Sequence, residues 1–169
     1  MIYLDNAATT ALDATVLNKM TPYFVEQYGN ASSVHSLGRD GRMAVERARQ
    51  QVATSLGAQA KDIIFTSSAT EANNLAIKGV VENAYSRVLR GEFVVEGPLE
   101  ILASPIEHPC VIESLRHIEA LGWAKIIWLP VNEYGQVAAE SISNALAERT
   151  ILVSVMYVNN EIGTVQPIT

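Results

Sequence analysis

Two hydrophobic rhythms alternate along this chain. Short unbroken apolar runs read as buried strands, and apolar positions at three- and four-residue spacing read as helices. The runs are Ile63-Ile64-Phe65 (with Thr66), Leu99–Ala103, Lys125–Val131 and Ile151–Val158. The helical stretches are Leu37 or Gly38 to Leu56, Thr70 to about Leu89, Cys110 to Leu121, and Ser141 to Ala147 with a start a residue or two earlier. In the first of these Val45, Ala48, Val52 and Leu56 form one apolar stripe, and Gly57 ends it. In the third, Val111, Leu115 and Ile118 share a face, and Gly122 ends it. Ahead of residue 37 the pattern is weaker. Ile2–Asp5 reads as a short strand and Asn6–Thr10 as a turn. Asp13 caps a helix that ends near Pro22, or yields there to a second one running to Tyr28. Gly29–Ser36 has no periodicity and reads as a loop, either functional or a connector. Phe93-Val94-Val95 reads as a short strand or a packed loop.

Alternating strands and helices predict an α/β fold, a mostly parallel sheet with helices on both faces. Ligands in such folds sit outside the carboxyl ends of the strands. Polar residues cluster there: Ser67–Asn74, Glu107-His108 and Asn159-Asn160-Glu161. The strand at 125–131 instead enters a hairpin-like turn, Asn132–Gly135. Between Thr66 and Thr70 the chain is small and hydroxylated, and it opens a helix. Unpaired N–H groups and the positive end of the helix dipole make such a start a phosphate cradle. A plain capped helix competes with that reading, because Ser68 and Glu71 have capping-box spacing.

Composition narrows the options. With 169 residues, 49% hydrophobic and 18% charged, the chain is sized and composed for a globular domain. A net charge of -6 without a basic cluster argues against a nucleic-acid surface. No apolar run approaches the roughly 20 residues of a membrane span. No basic n-region opens the chain, and Cys110 is the single cysteine, so an intrachain disulfide is excluded and a cytoplasmic location is expected. The arginines at 39, 42, 47 and 49 read as a solvated helix face. His35, His108 and His117 lack metal-ligand spacing, so no metal site is expected. Glu107 and Glu161 would suit acid/base work only if the fold brought them together.

Five blocks resemble the cysteine desulfurases, a branch of the class V aminotransferases that use pyridoxal 5'-phosphate (PLP). They are Tyr3–Thr10, Gly29–His35, Phe65–Ala76, Glu107-His108 and Val158–Gly163, in family order over the whole chain. The resemblance implies an incomplete three-layer sandwich, the N-terminal portion of the large domain of the PLP-dependent transferase fold. Residues 1–36 would be the family's N-terminal arm and loop, and 37–169 part of the PLP-binding domain, with the remainder and the C-terminal domain absent. By resemblance, Ala69 and Thr70 hold the cofactor phosphate, and Asn160 hydrogen-bonds its phenolic oxygen. His108 stacks on the ring and is a candidate catalytic acid/base, while Asn30 and His35 lie near the substrate entrance or dimer partner. The implied reaction converts L-cysteine to L-alanine, leaving sulfur as an enzyme persulfide for iron–sulfur clusters or tRNA thiolation. The implied partners are a second copy, as a homodimer, or a complementary C-terminal chain. The alternatives are a non-catalytic or split-enzyme half that binds a complementary chain, and a selenocysteine lyase or another class V enzyme.

The departures bear on activity. The family's Schiff-base lysine lies in a Ser-x-His-Lys block, and none of Lys19, Lys61, Lys78 and Lys125 stands in one. The Asp-x-x-Gln block, the carboxylate-binding arginine and the late sulfur-accepting cysteine also have no counterpart, so this chain alone is expected to be inactive. Ala31 stands where proline is common, and Ser68 where glycine is common.

Overall fold

The computed structural model describes residues 2–168, and backbone contacts divide the chain into two compact units, Met1–Phe65 and Thr66–Thr169. In the first unit, α1 (Ala14–Val25) starts at Asp13, whose Oδ1 accepts from Thr15 N–H at 2.7 Å and Val16 N–H at 3.3 Å. Those backbone bonds, Thr15 foremost, hold the Asp13 carboxyl below its ordinary range. The helix runs through Pro22 instead of ending there. Proline forfeits its own donor and crowds the carbonyl one turn back, but its carbonyl still accepts from Glu26 and Gln27 N–H, so the ladder resumes past it. No second helix reaches Tyr28.

Helix α2 (Ser36–Leu56) is capped by His35, and Gly57 ends it in the left-handed conformation at φ 65°. The preceding loop lies backbone to backbone on its first turns. A Cβ at Gly38 would overlap the Ser33 carbonyl oxygen, one at Gly29 the Leu37 carbonyl, and one at Gly41 would stand 2.5 Å from the Gly29 carbonyl oxygen. The expected apolar stripe does not form a core: Val45 and Leu56 are exposed, and only Gly38 and Ala53 of this helix are buried. No apolar layer covers that stripe among the described residues.

Two expected strands are also corrected. Ile2–Asp5 joins no ladder, and the Tyr3 hydroxyl instead donates to the Asp5 and Thr9 carbonyls at 2.9 and 3.0 Å. Ile63 is extended (φ −92°, ψ 124°), and Arg49 donates to its carbonyl and lies over the Phe65 ring at 5.1 Å. Yet residues 63–66 pair with nothing, and Ile64 and Phe65 are exposed. An apolar run becomes a strand only when a neighbouring strand satisfies its N–H and C=O groups; among the described residues the Ile63 groups are met instead by Ala60 and Arg49.

The second unit holds the sheet. Its elements are α3 (Ala69–Leu89), β1 (Glu100–Ala103), α4 (Pro109–Ala120), β2 (Lys125–Trp128), α5 (Ala139–Ala145) and β3 (Thr150–Ser154). The three strands are parallel in the order β2-β1-β3, with Ile101 level with Ile126 and Leu152. Side chains alternate across the sheet, as strand geometry requires. Ile101, Ala103 and Ile126 join Ile77 and Val81 of α3 and Val111, Leu115 and Ile118 of α4 in the larger core cluster. Leu102 meets Leu129 and Val137 on the other face, with Ile127 and α5 residues Ile142 and Ala145 against them. Helices therefore cover both faces of a parallel sheet, as the alternation predicts.

The sheet is shorter than the apolar runs. β2 stops at Trp128, and Val131 instead bridges Val137 across the turn at Asn132–Gly135. β3 stops at Ser154 because the chain folds back: Val158 bridges Val165, and Gln166 N–H donates to the Tyr157 carbonyl at 2.8 Å. Phe93 and Val95 form a packed loop against the larger cluster. At the amino end of β1 the buried Glu100 carboxylate is 2.9 Å from Arg149 Nε, an ionic contact off the hydrogen-bond direction.

Candidate functional site

The polar groups at the carboxyl ends of β1 and β3 meet the first turns of α3 and α4. Ser68 caps α3, its Oγ accepting from Glu71 N–H at 3.2 Å. The Glu71 carboxylate reaches back to Ser67, accepting from its N–H at 2.7 Å and its hydroxyl at 2.6 Å. The Ser67 hydroxyl, then its N–H, hold Glu71 below the ordinary glutamate range. The capped-helix reading is thus realised. It still leaves Ala69 and Thr70, whose N–H groups have no acceptor among the described residues. These open donors stand at the positive end of a 21-residue helix, which suits a phosphate-type anion.

His108 caps α4, its Nδ1 accepting from Cys110 N–H at 3.2 Å and lying 3.0 Å from Cys110 Sγ. Asn73, in the first turn and a half of α3, donates to the same sulfur at 3.3 Å. The starts of the two helices are therefore tied together. Thr70, Asn74 and Lys78 line one wall of a surface groove of about 370 Å³, and Pro109, Cys110 and Glu113 the other. The His108 side chain is exposed.

Two cross-links join the loop after β1 to the loop after β3. Buried Glu107 accepts from Met156 N–H at 2.5 Å, and Asn159 Nδ2 donates to the Ile106 carbonyl at 2.9 Å. Asn159 Oδ1 also accepts from Glu161 and Ile162 N–H at 2.8 and 3.0 Å. Asn160 is exposed, its amide donating to Glu161 Oε1 at 3.2 Å. Of the two glutamates weighed for acid/base work, Glu107 is engaged by Met156 N–H and Glu161 by the Asn160 amide. Sequence reasoning missed the anchoring parts of Glu107, Asn159 and Asn73. Asn159 carried a signal, because an Asn four residues before a glycine at the end of an apolar run builds an Asx turn.

In the first unit Asn30 and His35 both work locally. Asn30 Oδ1 accepts from Ser32 N–H at 2.9 Å, and His35 Nδ1 from Gly38 N–H at 3.4 Å. No group of three or more metal-ligating side chains occurs among the described residues.

Burial raises the Glu107 pKa from the ordinary 4.5, against the opposing bonds from Met156 and Ser154. A carboxyl raised on folding binds its proton more tightly in the folded state. Its stabilising contribution is complete below the unfolded value and is lost as pH rises through the folded one. Glu107→Gln keeps an acceptor for Met156 N–H. The stability of the wild type relative to this variant is therefore expected to fall as pH rises from about 4.5, measured by urea midpoints from acid to neutral pH. A relative gain with rising pH would refute the burial argument.

Comparison with known families matches residues 2–169 to aminotransferase class-V. The chain belongs to the class-V aminotransferase family. Among curated relatives, the mitosomal cysteine desulfurase of Trachipleistophora hominis is 46% identical over 168 residues, covering 99% of this chain and 36% of its own. The cysteine desulfurase IscS of Dictyoglomus turgidum is 44% identical over 167 residues, covering 99% of this chain and 40% of its own. Among solved structures, a NifS-like protein superposes with a TM-score of 0.83 at 36% identity, over 98% of this chain and 43% of its own. SspA in complex with cysteine does so with a TM-score of 0.84 at 35% identity, over 98% and 45%. The class-V chain described here thus spans about two-fifths of the length of these relatives, and it matches their N-terminal portion. The fold is the corresponding part of the PLP-dependent desulfurase fold.

PLP, the cofactor the family implies, presents a phosphate dianion and a flat ring. The open N–H groups of Ala69 and Thr70 fit the former, and the exposed imidazole of His108 beside the same groove fits the latter.

Proposed function

We propose that this class-V chain is the N-terminal portion of a PLP-dependent cysteine desulfurase and carries the phosphate-binding part of its site. The supporting observation is the tie between the open first turn of α3 and the His108-capped start of α4, through Asn73 and Cys110. In this reading Ala69 N–H, Thr70 N–H and the Thr70 hydroxyl hold the phosphate. His108 lies over the ring, and Asn160 donates to the phenolic oxygen from a loop fixed by Asn159. Asn30 and His35 belong to the substrate entrance or dimer contact. Residues 1–36 form the arm and loop, and 37–169 part of the cofactor domain. Bound PLP would supply the electron sink that sulfur removal from L-cysteine requires. The sulfur would serve iron–sulfur cluster assembly or tRNA thiolation in the cytoplasm.

A polypeptide of these 169 residues is expected to release no alanine from L-cysteine, because no lysine stands in the family's cofactor-attachment block. Borohydride reduction in the presence of PLP, followed by mass analysis, should give no one-to-one adduct on a single lysine. Such an adduct would overturn the inactivity, and Lys78 would be examined first, since it shares the groove with Thr70. The phosphate cradle has its own test. A hydrogen bond to a charged group contributes about 1.5–3 kcal/mol, so Thr70→Ala should weaken PLP binding about 10- to 100-fold, and inorganic phosphate should compete in the wild type. Equal affinity in the variant would remove Thr70 from the site.

One observation favours association with a complementary C-terminal chain or a second copy. α1 buries none of its residues, and Ile64 and Phe65 are exposed beside unpaired backbone. Apolar surface of that kind marks an interaction face.

A further inference from the structure

Resting on that cofactor reading, we infer that Cys110 and Asn73 are positioning residues that hold His108 in one tautomer, with Nδ1 as the acceptor and the ring proton on Nε2. The argument starts at Nδ1, which lies 3.2 Å from the Cys110 backbone nitrogen. A backbone N–H can only donate, so Nδ1 bears a lone pair. The proton of the neutral ring is then on Nε2. The thiol acts in the same sense. An Asn side-chain nitrogen is donor only, and Asn73 Nδ2 lies 3.3 Å from Cys110 Sγ. The sulfur therefore accepts from Asn73, which leaves its own S–H for Nδ1, 3.0 Å away. Hydrogen bonds run one way, from Asn73 to Cys110 to His108.

This arrangement decides what the imidazole can offer. A proton on Nδ1 would face the Cys110 N–H and would remove the cap from α4. The ring can keep its place only while Nδ1 accepts. What it presents beyond the helix start is its flat face and Nε2–H. Toward a bound aromatic ring His108 is a stacking surface, and toward a ligand oxygen it is a hydrogen-bond donor. The acid/base role that the resemblance left open narrows to donation from Nε2. Cys110 does this without itself reacting.

The test uses the full chain labelled with 15N, without PLP, and long-range 1H–15N spectra of its imidazoles. His108 is assigned by the signals lost in His108→Gln, and exposed His117 gives the reference for a solvated ring. The wild type is expected to show the Nε2–H tautomer with Nδ1 shifted as a hydrogen-bond acceptor. Cys110→Ala should move the Nδ1 resonance toward that of His117, and Asn73→Ala should move it part of the way. Cys110→Ser, whose hydroxyl can still donate, should restore it. An Nδ1–H tautomer in the wild type, or a Cys110→Ala spectrum identical to wild type, would overturn the assignment. PLP takes no part in this measurement, so a failure to bind PLP would sink the cofactor reading alone.

Discussion

Truncating Leu115 to alanine is expected to lower the unfolding free energy by about 2–5 kcal/mol. Leu115 is fully buried on α4, packed in the cluster that Val81, Ile101, Val111, Ile118 and Ile126 form between the helices and the sheet. The loss has two parts, the transfer of the deleted carbons to water and the cavity left behind. The second part is large here because rigid elements surround the site on two sides: β2 below and α3 alongside. Leu102, equally buried, faces the smaller cluster on the opposite side of the sheet, where short α5 and the hairpin can move inward. Leu102→Ala is therefore expected toward the lower end of that range. Exposed Leu121→Ala supplies the control, with a change within about 0.5 kcal/mol. Urea unfolding followed by circular dichroism measures all three. A Leu115 effect no larger than the Leu121 one would mean that the α3–α4–sheet cluster is not the core.

The second large effect is expected at Asn159. Its buried amide makes four hydrogen bonds: Nδ2 donates to Ile106 O and Met156 Sδ, and Oδ1 accepts from Glu161 and Ile162 N–H. Asn159→Ala removes all four at once and leaves partners short of water. At about 1 kcal/mol for each bond, more for a group left buried and unpaired, the cost should be about 2–4 kcal/mol. Asn159→Asp separates the two ends of the amide. It retains an acceptor for the two N–H groups but sets an oxygen against the Ile106 carbonyl, so it should also destabilise. Asn160→Ala is the contrast: this exposed side chain makes one contact, to Glu161, and its loss should change stability by less than about 0.5 kcal/mol. If Asn160 contacts the cofactor, that variant should lose PLP affinity while keeping its unfolding midpoint. Were Asn159→Ala as stable as wild type, the clasp between the β1 and β3 loops would be ruled out as an anchor.

These paired asparagines show where the sequence is legible and where it is not. The long helices are read closely because capping residues and glycines mark their ends: Ser68 starts α3, Gly57 ends α2, and Gly122 follows α4. The parallel sheet follows from alternation alone. Ile63–Phe65 misleads because an apolar run states a wish for burial and not a partner, and pairing is a property of distant residues. The stripe on α2 fails for the same reason. At the site, Ser68 with Glu71 is visible by spacing, but Glu71 turning to Ser67 instead of Ser68 is a choice of rotamer. Nor does spacing reveal which of two adjacent asparagines turns inward, since burial decides it. The resemblance points to Asn160, and the anchoring residue is its neighbour.

The loop carrying Asn30 and His35 has one more consequence. Where the family commonly has proline this chain has Ala31, which by itself frees the unfolded chain to sample more conformations. The glycine seam offsets that loosening from outside the loop. With no Cβ at Gly29, Gly38 or Gly41, main chain rests on main chain, and restraint that a pyrrolidine ring would supply within one residue is distributed over three positions, two of them on the helix. Rigidity in this loop is thus inherited from α2. Sequence drift at Ala31, Ser32 or Ser33 would leave the loop's path intact, whereas a single methyl group added on α2, at Gly38, would displace it.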